Sequence, residues 1–116
     1  MKIINFKIDN YKVELYAKDR KGGRTRWADK IIYLYSNGRE VAQAVFASEH
    51  AKAPEPYYAE GKIYFFAEAY QYASVIDLLR NEHPVYIVWK PIYDPKEPHD
   101  GDAYFYTEAV IVKAKE

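Results

Sequence analysis

The chain contains no cysteine, which excludes disulfides, thiolate metal ligands and a cysteine nucleophile together. It also lacks any run approaching the ~20 apolar residues of a membrane-spanning helix. The opening stretch MKIINFKIDNYKVELY has no uninterrupted apolar core of the kind a secretory signal needs. A cytoplasmic protein without membrane attachment is the expectation. Net charge is absent too, because 17 Lys and Arg balance 17 Asp and Glu. Proteins that track nucleic-acid phosphates usually carry a basic excess, so the balance counts against that class. Glycine is scarce. Gly22-Gly23 is the one adjacent pair, and no Lys-Ser or Lys-Thr follows it, so a phosphate-cradling loop is not encoded.

Catalytic and metal-ligating patterns are equally thin. A serine nucleophile normally sits on a strained turn, and no G-x-S-x-G element exists. The three histidines, His50, His83 and His99, are scattered. The segment 94–102 gathers Asp94, Glu97, His99, Asp100 and Asp102, but three prolines (Pro91, Pro95, Pro98) stiffen it and the EF-hand spacing is missing. A solvated loop explains it. An acid–base pair of His99 with Asp100 or Glu97 has nothing to position it. No catalytic residue, metal or cofactor is therefore expected.

What the chain has in excess is tyrosine: 13, beside 5 Phe and 2 Trp. Tyrosine brings area, rigidity and a polar tip, and it is favoured in strands and at interfaces alike. Half-exposed sheet faces account for the excess, and so does a recognition surface.

With 116 residues the chain has the size of one domain, taken as 1–116. Its organising stretch is 70–90, YQYASVIDLLRNEHPVYIVWK. Tyr72, Val75, Ile76 and Leu79 fall on one stripe of a helix predicted over 69–81, with Tyr70, Ser74, Asp77 and Asn81 opposite. Asn81 suits a left-handed cap, and Pro84 forbids continuation. The run Pro84–Trp89 then reads as a strand covered on both faces. No other segment carries such a helical stripe.

Around this pair the chain reads as strands. Ile4, Phe6 and Ile8 alternate with Asn5 and Lys7. After Asp9-Asn10 the parity flips to Tyr11, Val13 and Leu15, which a bulge in one long strand or a tight hairpin explains. The bulged strand is preferred, because the hairpin would set Lys7 against Lys12. Lys18–Arg26 is a basic loop.

Ile31–Tyr35 runs into Asn37-Gly38, the strongest short hairpin signal. A two-residue turn there pairs Ser36 with Arg39, Tyr35 with Glu40, Leu34 with Val41 and Ile32 with Gln43. This hairpin has a core side of Ile32, Leu34 and Val41 and a tyrosine side of Ile31, Tyr33 and Tyr35. Segment 48–61 reads as a loop and Lys62–Phe66 as a strand. Residues 103–107 and 109–112 read as a last strand broken by a bulge near Glu108, before a polar tail at 113–116. The predicted fold is α+β: a mostly antiparallel sheet of about five or six strands with a single helix on one face.

The string Ile76-Asp77-Leu78-Leu79-Arg80-Asn81-Glu82-His83-Pro84-Val85-Tyr86, preceded by an aromatic strand and a Tyr-rich Asn-Gly hairpin, resembles a family of small uncharacterised prokaryotic proteins. Their signature is a helix ending LLRNE, then a proline and an aromatic strand. The similarity covers 62–90 and, more loosely, 24–47. After Trp89 the proline-rich loop and Tyr-rich strand depart from it. The resemblance implies the order of elements and supplies no activity.

Three functions follow. The leading one is a non-enzymatic interaction module. Ile31, Tyr33 and Tyr35 lack identifiable cover within the chain, and the expected partner is a second copy, as a homodimer, or another protein. The first alternative is single-stranded nucleic-acid binding, with Tyr33, Tyr35, Tyr64 and Tyr86 as stacking platforms and Arg20, Lys21, Arg24 and Arg26 on phosphates. A small enzyme with an unrecognised site ranks last.

Overall fold

Alternating apolar residues build most of this molecule. A computed structural model describes residues 3–16, 28–48, 51–92 and 101–114. Within them lie β1 (Ile4–Ile8), β2 (Asn10–Leu15), β3 (Ala28–Ser36), β4 (Arg39–Ala47), β5 (Tyr57–Ala59) and β6 (Lys62–Ala67). The helix α1 (Gln71–Asn81) and strands β7 (Val85–Pro91), β8 (Gly101–Tyr106) and β9 (Ile111–Lys113) complete the order. The architecture is α+β, as the sequence implies. The strands form two sheets, however, where one of five or six strands was expected: a four-stranded sheet β1-β7-β8-β9 and a five-stranded sheet β2-β3-β4-β6-β5.

The division begins at Asp9. β1 pairs with β7 in one sheet and β2 with β3 in the other, so the chain passes from sheet to sheet, and neither the expected single bulged strand nor the hairpin forms. The parity flip at Asp9-Asn10 marks this crossing: Ile4, Phe6 and Ile8 on one side of it, and Tyr11 and Val13 on the other, all pack on the same core. The junction is pinned to the β3–β4 hairpin tip. The Asp9 backbone N–H donates to the Tyr35 carbonyl at 3.0 Å, and the Asn37 N–H donates to Asp9 Oδ2 at 2.7 Å.

The four-stranded sheet is antiparallel throughout, whereas the five-stranded one is mixed because β4 and β6 run parallel. A parallel pair needs a crossover. Here the connection from β4 to β6 carries β5, and before it Ala51 and Ala53 pack with Val45 and Phe66 in a second, smaller core on the outer side of the five-stranded sheet. What the sequence presents as a loop thus roofs one corner of that sheet. It also contains β5, whose turn into β6 places Glu60 and Gly61 at φ 51° and 80°. A glutamate there is uncommon, which is why the hairpin escapes sequence signals.

The Asn37-Gly38 turn has φ 53° and 77°, the left-handed pair of a type I′ hairpin. Ser36 pairs with Arg39 and Tyr35 with Glu40, as predicted. Beyond them a bulge shifts the register, so that Leu34 faces Ala42 and Ile32 faces Ala44 rather than Val41 and Gln43. The extra residue lets Val41 and Ala42, neighbours in sequence, both join the main core. Residues 107–110 are likewise a turn between the antiparallel strands β8 and β9, not a bulge: Thr107 Oγ1 accepts from the N–H groups of Ala109 and Val110, each at 3.1 Å. The expected tail begins later than Lys113, which is in β9, and Ala114 is buried.

The inner faces of both sheets and α1 share the main core, around Phe46, Phe65, Trp89 and Phe105. Val75, Ile76 and Leu79 are buried as the stripe predicts, and Tyr72 sets its ring edge-on against Phe46. Leu78 and Gln71 are buried as well, the latter donating to the Lys113 carbonyl at 2.7 Å. The helix is therefore apolar over a wider arc than one sheet would require. It starts at Gln71, two residues later than predicted. Asn81 is its last helical residue rather than a left-handed cap; Glu82 is extended, with φ −113°, and its N–H still bonds to the Leu78 carbonyl. Asn81 instead donates its side-chain amide to Asp77 at 2.7 Å.

Candidate functional site

Strand alternation sends every second side chain away from the core, and the tyrosines divide between the two outer faces. On the five-stranded sheet a row runs Lys12, Tyr33, Gln43, Tyr64, Tyr57 across five strands, each opposite the next. The Tyr57 and Tyr64 rings stack at 4.6 Å, and Tyr57 is 41 % exposed. Tyr58, next along, faces inward and lies against Trp89.

The carboxylates on this face are hydrogen-bonded. Tyr33 donates its hydroxyl to Glu14 at 2.9 Å, and Tyr16 donates to the same carboxylate oxygen. Burial, and then the Glu14 carboxylate, push the Tyr33 hydroxyl up to about 12. Lys62 donates to Glu40 at 2.7 Å and Gln43 donates to it at 3.1 Å. Burial alone would raise the Glu40 carboxyl, but the hydrogen bonds from Lys62 and Gln43 prevail and hold it below the usual range. The same bond raises the Lys62 ammonium. Both partners stay ionised near neutrality.

Of the three residues expected to lack cover, Ile31 has it: the side chain packs with Ala51, Ala53, Val45 and Phe66. Tyr33 and Tyr35 remain half-buried on the open part of the face. Sequence reasoning found Glu40 there and missed Lys12, Glu14 and Lys62. These come from β2 and β6, whose neighbours alternation alone does not reveal.

The outer face of the four-stranded sheet carries Asn5 and Lys7, then Tyr86, Val88 and Lys90, then Asp102, Tyr104 and Tyr106, and finally Ile111 and Lys113. Tyr86 and Tyr106 are cross-strand partners, their rings within 15° of parallel at 5.0 Å, with Tyr104 beside them. The Tyr106 hydroxyl accepts from Asn5 Nδ2 at 3.0 Å. Asn5 lies two strands away, so the ring must reach across β7. Val88, on that strand and pointing outward, is accordingly only 2 % exposed.

Beside this cluster, between β1 and the β3–β4 hairpin tip, lies an open cleft of about 560 Å³ lined by Asn5, Phe6, Lys7, Ser36, Asn37 and Arg39. A second hollow of about 480 Å³ sits where the chain changes sheets, with Asp9, Tyr11, Leu79 and His83 among its walls.

The four tyrosines proposed as one stacking surface do not share a face. Tyr33, Tyr35 and Tyr64 belong to one sheet and Tyr86 to the other. Arg20, Lys21, Arg24 and Arg26 lie outside the described residues, as do His50, Asp94, Glu97, His99 and Asp100. Among the described residues no group of His, Asp and Glu is placed to hold a metal ion, and no helix is long and apolar enough to cross a membrane. No family model matches the chain, and no curated protein or solved structure matches it either.

Proposed function

We propose that this chain is a non-enzymatic interaction module that self-associates through the outer face of its five-stranded sheet, centred on Tyr33, Tyr35, Tyr64 and Tyr57. The observation carrying the reading is the combination of a half-exposed tyrosine row with carboxylates already hydrogen-bonded on the same face. Burying a charge is costly unless its partner is buried with it. Glu40 enters an interface with Lys62, and Glu14 enters with two tyrosine hydroxyls. Interface cores are enriched in tyrosine and depleted in charge, which places the Glu40–Lys62 pair toward the rim and the tyrosines at the centre. A two-fold arrangement setting the row against itself leaves exposed Lys12 at the rim. Ile31, taken by the 48–56 segment, belongs to the support of the patch.

Sedimentation velocity at micromolar concentration tests this. The wild type is expected to sediment as a dimer. Tyr57→Glu is expected to sediment as a monomer with a melting temperature within a few degrees of wild type; Tyr33→Glu, which sets a second carboxylate beside Glu14, is expected to be monomeric and to melt earlier. A wild type that stays monomeric overturns the reading. So does a Tyr57→Glu protein that melts early yet keeps the oligomeric state of the parent.

A further inference from the structure

The outer face of the four-stranded sheet is richer in cations that form no ion pair among the described residues. Lys7, Arg39, Lys90 and Lys113 lie on this face or in the adjoining cleft, and the described strands of the face carry one carboxylate, Asp102, the cross-strand partner of Lys90. A second copy of this surface would therefore repel it, whereas an anionic partner would not.

The aromatic groups narrow the partner further. Tyr86 and Tyr106 already form a near-parallel stack, so a flat ring placed on it extends an existing stack rather than starting one. The amide of Asn5 holds Tyr106 by its hydroxyl, so little ordering is needed when a ligand arrives. Asn5 also lines the cleft that contains Lys7 and Arg39, and Lys7 is the cross-strand neighbour of Tyr86. The cleft lining offers two cations and the polar side chains of Ser36, Asn37 and Asn5; the nearby Asp9 carboxylate is engaged by the Asn37 N–H at 2.7 Å. Its 560 Å³ lies within the ~300–1,000 Å³ of small-ligand sites.

Flat rings spaced along a chain of negative charges are the chemistry of single-stranded nucleic acid, which binding surfaces meet with stacking platforms beside a cationic track. We propose that the four-stranded sheet binds single-stranded nucleic acid: a base stacks on the Tyr86–Tyr106 pair, and a neighbouring phosphate sits in the cleft between Lys7 and Arg39. This surface is separate from the proposed self-association face, and either proposal can fail without the other.

The test is a fluorescence-anisotropy titration of a labelled 12-nucleotide oligothymidylate at 50 and 200 mM NaCl, with an oligouridylate of the same length in parallel. Three or four phosphate contacts predict a loss of roughly 20- to 50-fold in affinity over that salt range, at a slope of about 0.7 per contact. Tyr86→Ala is expected to weaken binding by roughly 5- to 150-fold, the value of one stacked base, while Tyr86→Phe retains it. Lys7→Gln combined with Arg39→Gln removes that one phosphate contact and is expected to flatten the salt slope by about 0.7, with circular dichroism reporting that the variants are folded.

Absence of salt-sensitive binding at 50 mM NaCl overturns the proposal. It is also overturned if Tyr86→Ala and the double variant both bind as wild type does, since the oligonucleotide then sits elsewhere, or if heparin binds equally well and Tyr86→Ala leaves oligothymidylate affinity unchanged, since the surface is then a mere polyanion site.

Discussion

Gly101 shows how one atom is excluded by packing. It opens β8 opposite Pro91, two residues before Ala103, the partner of Trp89. A Cβ at Gly101 would lie 2.4 Å from Trp89 Cζ2, 2.7 Å from its Cη2 and 2.8 Å from the Lys90 carbonyl oxygen. Trp89 is 1 % exposed and fixed within the main core, so its ring cannot swing away, and the backbone oxygen is no more free to yield. Gly101→Ala is therefore expected to destabilise the protein by about 1–3 kcal/mol, the usual cost of overpacking, measured as the shift in urea midpoint at constant slope. An unchanged midpoint would mean that the β7–β8 register is wrong. At the same scale, the Tyr33 hydroxyl raised to about 12 marks a phenol held in its neutral form by burial and by Glu14. Its contribution to stability is complete below the ordinary tyrosine range near 10 and is lost as pH climbs from there through about 12.

The helix is the element whose register was most legible in the sequence. Its 3.6-residue stripe named Tyr72, Val75, Ile76 and Leu79, and all four pack in the core. Leu79→Asp buries a charge among apolar neighbours and is expected to cost more than about 3 kcal/mol, a large part of a domain's ~5–15 kcal/mol. Asp77→Ala removes an exposed bond to Asn81 and is expected to change stability by about 0.5 kcal/mol or less. Chemical denaturation ranking them the other way would contradict the packing.

Leu78 escaped the stripe because a stripe assumes one covering surface, while residues of both sheets share the core with this helix. Other elements were legible in proportion to local signal. Asn37-Gly38 announced its turn, since few residues tolerate two successive left-handed conformations. The bulge at Val41, the β5–β6 turn through Glu60 and the Thr107 turn depend on what lies across the strand, which no local pattern records. Alternation likewise assigned Tyr33 to an outward face without naming the sheet, whereas Pro84–Trp89 read as a strand covered on both faces although Tyr86 lies half-buried on an outer one.

For the molecule as a whole, a neutral chain is not a uniformly neutral surface. Equal numbers of acidic and basic residues argue against nucleic acid only if they are evenly mixed, and on the described strands they are not. The five-stranded sheet keeps Glu40 with Lys62 and Glu14 with Tyr16 and Tyr33, while the four-stranded sheet displays Lys7, Lys90 and Lys113 around its tyrosines. Chain crossings at Asp9 and through α1 place these two surfaces on opposite sides of one core. We propose that one face serves self-association while the other holds an anionic strand. Sedimentation velocity of the protein mixed with a labelled 12-nucleotide oligothymidylate at 50 mM NaCl separates these roles. A single species containing two protomers and two oligonucleotides is expected. A complex of one protomer with one oligonucleotide, formed at the expense of the dimer, would mean that both partners compete for one face and would contradict that division.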